Sequence, residues 1–158
     1  MMTHDRYIAI ETRIGVVLNA IVGGAFVFLM FGGLANVGLW GMQGLAFDLL
    51  PTTFMISLMM TIGLTLMTRS RVQKGKIEPT AYNRRLPTNV ILRGLTLAII
   101  MTLLLVPLSI GLLMLLWTVT GDWPFLIVLG FKSAFSVLIG VVLTPVILRA
   151  AFNDGFKT

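Results

Sequence analysis

In FLIVLGFKSAFSVLIG, Phe125 to Gly140, one lysine stands among apolar and small side chains. Lys132 is the first candidate for chemistry, because a charge in hydrocarbon costs at least ~2.5–3.5 kcal/mol unless it is paired or hydrated. Counted at helical rise from Trp123, its backbone falls near the middle of a membrane. Its stem leans toward the N-terminus of its own helix and carries the ammonium that way. Asp48 is the acid within reach on that side, because a shift of 80 positions sets it on Val128, one turn from Lys132. Thr52 and Ser136 add hydroxyls. Pro107 removes a helix hydrogen bond and frees the carbonyl of Leu103 at nearly the same depth. Lys132, Asp48, Thr52, Ser136 and Pro107 together form a candidate buried polar site. Two readings of it stay open: a charge pair that only joins helices, or a site for a solute or an ion.

Small residues flank this cluster. Gly130, Ser133 and Gly140, with Ser136 and Thr144, recur three and four apart, and Gly15, Asn19 and Gly23 repeat every four. Such stripes allow close helix contact, and the asparagine can hydrogen-bond across a seam. Catalysis has little to work with. Cysteine is absent and His4 is the only histidine, so thiolate chemistry and a buried histidine ligand are excluded, and no nucleophile and base or paired acids share a depth. A non-enzyme without metal or cofactor is expected.

These residues need elements to position them. With 57% hydrophobic residues and only 11% charged, the composition lies far outside that of soluble domains. Four apolar runs are long enough to span, near Ile14 to Leu39, Leu49 to Thr68, Val90 to Trp117 and Phe125 to Leu148. The first exceeds the ~7–15 residues of a signal core, so it is expected to be retained. Eleven of the 12 lysines and arginines fall on one side: Arg6, Arg13, Arg69, Arg71, Lys74, Lys76, Arg84, Arg85, Arg93, Arg149 and Lys157. By the positive-inside rule that side is cytoplasmic and holds both termini. Trp40, Trp117 and Trp123 mark the opposite interface, and Tyr7 and Tyr82 the basic one. The bases lack interleaved aromatics, so orientation explains the charge of +6 and nucleic acid is not expected as a partner. Arg69, Arg71, Lys74, Lys76, Arg84 and Arg85 are expected to contact anionic lipid headgroups. Their segment, RSRVQKGKIEPTAYNRRLP, is the one stretch polar enough for a mobile linker, with Gly75, Pro79 and Pro87 breaking any helix. Methionine-rich α-helical sequence in the second span suits a face toward partners or lipid.

The same 80-residue shift sets Arg13 on Arg93, Gly41 on Gly121, Leu58 on Leu138 and Arg69 on Arg149. The chain therefore reads as two tandem hairpins, residues 1–75 and 89–158, joined by a basic linker at 76–88 and related by an axis along the membrane normal. The fold class expected is all-α, a four-helix transmembrane bundle. The second hairpin, with Arg93, Met101-Thr102, Ala134, Pro145 and Arg149, resembles the small two-helix bacterial inner-membrane family called DUF2798. That resemblance implies a fold and a multi-pass place in a bacterial inner membrane, and no activity. In architecture the chain is also similar to the proteobacterial antimicrobial compound efflux family, four helices built as paired hairpins. Arg13 and Arg93 stand at the corresponding helix starts, but Leu18 to Gly24 and Ala98 to Leu104 contain neither the histidine nor the acid of that family's motif. The functional expectation is an accessory, assembly or structural subunit with a protein partner or a further copy of itself; the alternative is a small-solute or ion transporter or channel with its site near Lys132.

Overall fold

Residues 3–80 and 86–154 are described in the structure, a computed structural model. Its helices are α1 (His4–Phe31), α2 (Leu45–Gln73), α3 (Val90–Thr120) and α4 (Phe125–Phe152). Each has 28 to 31 residues, against the roughly 20 that cross hydrocarbon, and each is apolar enough to span. The chain is an all-α, four-helix, polytopic membrane protein.

The ends of the helices differ from the expected spans for physical reasons. α1 begins at His4, because its polar first turns are held by neighbours: Tyr7 is buried against Thr68 of α2 and Phe152 of α4. It stops at Phe31, where Gly32 and Gly33 follow and Gly33 takes a φ of 99°. The next residues turn back over the bundle instead of extending the helix to Leu39. There β1 (Asn36–Val37) pairs antiparallel with β2 (Trp123–Pro124), placing Asn36 opposite Pro124 and Val37 opposite Trp123. The carbonyls of Gly38 and Leu39 accept from Leu45 and Ala46 N–H at 3.0 Å, which satisfies first-turn donors of α2. Trp123 is therefore buried in a cap, stacked on Trp117 with ring centroids 4.9 Å apart; only Trp40 is exposed as an interfacial ring should be.

At the opposite, basic end the segment after α2 is anchored where it is described. Ile77 is buried with Tyr7, Leu148 and Phe152, and His4 Nε2 lies 2.8 Å from the carbonyl oxygen of Glu78 and 2.9 Å from Thr80 Oγ1. These contacts tie Ile77, Glu78 and Thr80 to the start of α1 and the end of α4. Tyr82, Arg84 and Arg85 lie outside the described residues.

α2 and α4 pack on each other in the middle, α1 lies along α4, and α3 lies along α2. The two helices of each sequence hairpin are thus not each other's main partners. The α1–α4 seam repeats every fourth residue. On α1, Tyr7, Glu11, Asn19, Gly23, Val27 and Phe31 are buried in one row with Gly15 between them. On α4, Val128, Lys132, Ser136, Gly140, Thr144, Leu148 and Phe152 form the facing row. Gly15 meets Thr144, Asn19 meets Gly140, and Gly23 meets Ser136, so antiparallel rows mesh in one register. A Cβ on Gly23 would stand 2.8 Å from Ser136 Cβ, and one on Gly140 would run into the Asn19 amide; glycine at both points permits the close approach. Ser133 sits at the seam's edge near Gly24. Gly130 does not belong to it. Two positions before Lys132, it turns away, is exposed, and has nothing within 4 Å of its Cβ position, which corrects its assignment as a packing residue.

Gly23→Leu is expected to force α1 off α4 and to lower stability by ~1–3 kcal/mol, the usual range for overpacking. Gly130→Ala, facing open space, should be neutral or slightly stabilising. Thermal unfolding in mild detergent followed by tryptophan fluorescence checks the pair; equal effects of the two substitutions would contradict the seam.

Candidate functional site

Lys132 is fully buried on the α4 row, and its Nζ donates to Asp48 Oδ2 and, at 2.8 Å, to Thr52 Oγ1. The Thr52 hydroxyl donates in turn to Asp48 Oδ1 at 3.3 Å. Each member thus answers another. Asp48 is held by its place in the first turn of α2, where the exposed N–H groups and the helix dipole favour a carboxylate. Thr52 is one turn further on the same face, and α4 brings the lysine from the neighbouring helix. The result is a neutral, hydrogen-bonded triad that joins α2 to α4.

The place of Lys132 along α4 can be set against that helix's exposed apolar side chains. Lipid-facing apolar side chains on α4 run from Leu126 to Val146, about 30 Å at helical rise. Lys132 lies six residues into that run, about 9 Å from its edge, in the half away from the termini.

The other two candidates do not join the triad. Ser136 is buried one turn below Lys132 but faces Gly23 of α1, and its Oγ has no hydrogen-bond partner among the described residues. Pro107 is exposed on α3, which packs on α2 and not on α4, so it does not line the site of Lys132, which corrects its inclusion.

Sequence reasoning missed a polar file on α2. Thr53, Ser57, Thr61 and Thr65 recur every fourth residue, all with no exposure, and Thr68 follows. Thr53 and Thr61 donate back to the carbonyls of Leu49 and Ser57 at 2.7 Å, the usual way a hydroxyl is satisfied inside a membrane helix. Ser57 Oγ and Thr65 Oγ1 are buried without a hydrogen-bond partner among the described residues. The file was legible as spacing, and was passed over because each residue alone is small and uncharged.

Acids were missed at the basic end. Asp154, just past α4, receives Arg69 Nη2 of α2 at 2.8 Å and Arg93 Nη2 of α3 at 2.9 Å, while Arg93 Nε donates to the Pro87 carbonyl at 2.9 Å. Glu11 of α1 accepts from Arg71 of α2, whose guanidinium lies 5.2 Å from the centre of the Tyr7 ring. Arg69 is therefore engaged within the protein by Asp154 and the Thr88 carbonyl, whereas Arg71 gives one nitrogen to Glu11 and keeps the other on the Met67 thioether at 3.7 Å; Lys74 and Lys76 are exposed.

Breaking the triad on one side leaves a buried charge alone, so Lys132→Met or Asp48→Asn is each expected to cost ~3–5 kcal/mol. The double substitution Lys132→Met with Asp48→Asn should recover most of that loss. Unfolding of all four proteins in detergent gives the coupling; two harmless single changes would show that the pair holds nothing.

Compared with known proteins, the chain matches no protein-family model, no curated protein and no solved structure, which leaves the geometry above to carry the functional reading.

Proposed function

We propose that the chain is a non-catalytic accessory, assembly or structural subunit of a membrane complex, seated in a bacterial inner membrane with both termini cytoplasmic. The closure of the Lys132–Asp48–Thr52 triad carries this reading: the lysine side chain is 0% exposed and the aspartate 5%. A transport site must offer its charge to a passing solute, whereas this one directs the charge into a neighbouring helix. Two-sided helix packing and ion pairs at the basic end support a rigid scaffold. The orientation is supported by the bases gathered at the end that carries the termini. The tandem-hairpin relation is supported by α2 and α4 starting at Leu45 and Phe125, the same shift that relates Gly41 and Gly121, both of which take positive φ. The α1–α4 and α2–α3 pairings also exchange under a twofold axis through the α2–α4 contact.

A second reading, a small-solute or ion transporter with its site near Lys132, is favoured by one observation. The buried hydroxyls of α2 extend from Thr52 beside the lysine to Thr68, and Ser57, Thr65 and Ser136 lack hydrogen-bond partners among the described residues. Hydroxyls in such a file could hold water if the bundle opened.

Isolation of the tagged chain at native expression level in a mild detergent separates the readings. Co-elution with a distinct membrane protein at fixed stoichiometry is expected. Recovery of this chain alone, together with proton or solute flux in proteoliposomes that Lys132→Met/Asp48→Asn abolishes, would replace the subunit reading with the transporter.

A further inference from the structure

Because its small-residue row draws α1 onto α4, α1 does not pack along α2. A trough of about 370 Å³ is left between them, lined by Gly15, Leu18, Val22, Met59, Gly63 and Met67 among others. Its walls are fixed. Asn19 of α1 donates to Met60 Sδ of α2 at 3.3 Å across the floor, and at the basic end Glu11 and Arg71 join the same two helices. On α2 the lining runs from Ile56 to Met67, about 16 Å at helical rise. That is half of the ~30 Å hydrocarbon thickness, the depth of a single leaflet. Farther along α1, Val27 and Phe31 are fully buried, so the trough ends midway through the membrane. A partner helix would need both leaflets; one acyl chain needs only this one.

The charges at its basic end match such a ligand. Arg71 follows Met67 by one turn. Glu11 takes its Nη1, but its Nη2 donates to the thioether of Met67 at 3.7 Å, a weak acceptor that a phosphate oxygen would displace. Lys74, three residues on, is exposed. With Glu11 answering one of these two cations, a net positive charge remains at headgroup level beside the trough.

We infer that this cleft is a binding site for one anionic glycerophospholipid of the leaflet at the basic end, with an acyl chain between α1 and α2 and the phosphate at Arg71 and Lys74. The site is independent of whether the protein serves as a subunit or as a transporter.

Native mass spectrometry of the full chain, delipidated in detergent and titrated with phosphatidylglycerol, phosphatidylcholine of the same acyl chains, or glycerol phosphate, tests it. One phosphatidylglycerol should bind about fivefold or more tighter than phosphatidylcholine, given roughly 1 kcal/mol per basic residue near a charged headgroup. Gly63 has nothing within 4 Å of its Cβ position, so Gly63→Phe should fold with an unchanged Tm and lose that lipid. Lys74→Gln should fold equally well and lose most of the headgroup preference. Equal binding of the two lipids, binding untouched by Gly63→Phe, glycerol phosphate binding as tightly as the lipid, or a homodimer that Gly63→Phe abolishes would each overturn the assignment.

Discussion

A charge placed in hydrocarbon must bring its counter-charge with it, and most of this fold can be understood from that constraint. Lys132 cannot be left against lipid, so α4 must lie where another helix presents an acid at the same level. Asp48 is that acid, and the first turn of α2 is where a carboxylate is least costly. Once the pair and the Thr52 hydroxyl are joined, α2 and α4 are committed as neighbours in the centre of the bundle. A buried pair of this kind is weak evidence for net stability, since apolar residues in its place can serve as well. What it fixes is which helices meet and at what height.

The remaining helices attach to that central pair by different means. α1 uses shape, a row of residues four apart whose glycines receive the polar side chains of the opposite row. α3 is joined at the basic end through Arg93, which shares Asp154 with Arg69 and so links α2, α3 and the end of α4. At the other end the β1–β2 bridge ties the two connections together. The trough between α1 and α2 is a consequence of this order of preference, because a helix drawn tightly to one partner must stand off from another.

The features legible in the sequence were those with a steep physical penalty. Four spans could be found because backbone in lipid must be helical, and the association of Lys132, Asp48 and Thr52 could be anticipated because an isolated charge is expensive. Gly15, Asn19 and Gly23 announced themselves by spacing. Rotation about the helix axis was not legible, which is why Gly130 and Pro107 were drawn into clusters from which the structure separates them. No pattern in the sequence marks the partners of polar residues at helix ends, so Glu11, Tyr7 and Asp154 could not be read there as the groups that hold Arg71, Thr68, Arg69 and Arg93. The cap at residues 36–37 and 123–124 is too short to carry a periodic signal.

The chain contains no cysteine, so a single substitution supplies a unique reporter of whether the triad is sealed from water. Thr52→Cys places a thiol of similar size beside Lys132 and Asp48. Reaction of this protein in liposomes with a charged, water-soluble methanethiosulfonate is the most direct measurement, with Lys74→Cys as an exposed reference. A closed triad predicts rapid modification at Lys74→Cys and none at Thr52→Cys until the protein is unfolded. Comparable rates at the two positions in the folded protein would contradict a dry, structural pair and indicate a water path reaching the buried charge.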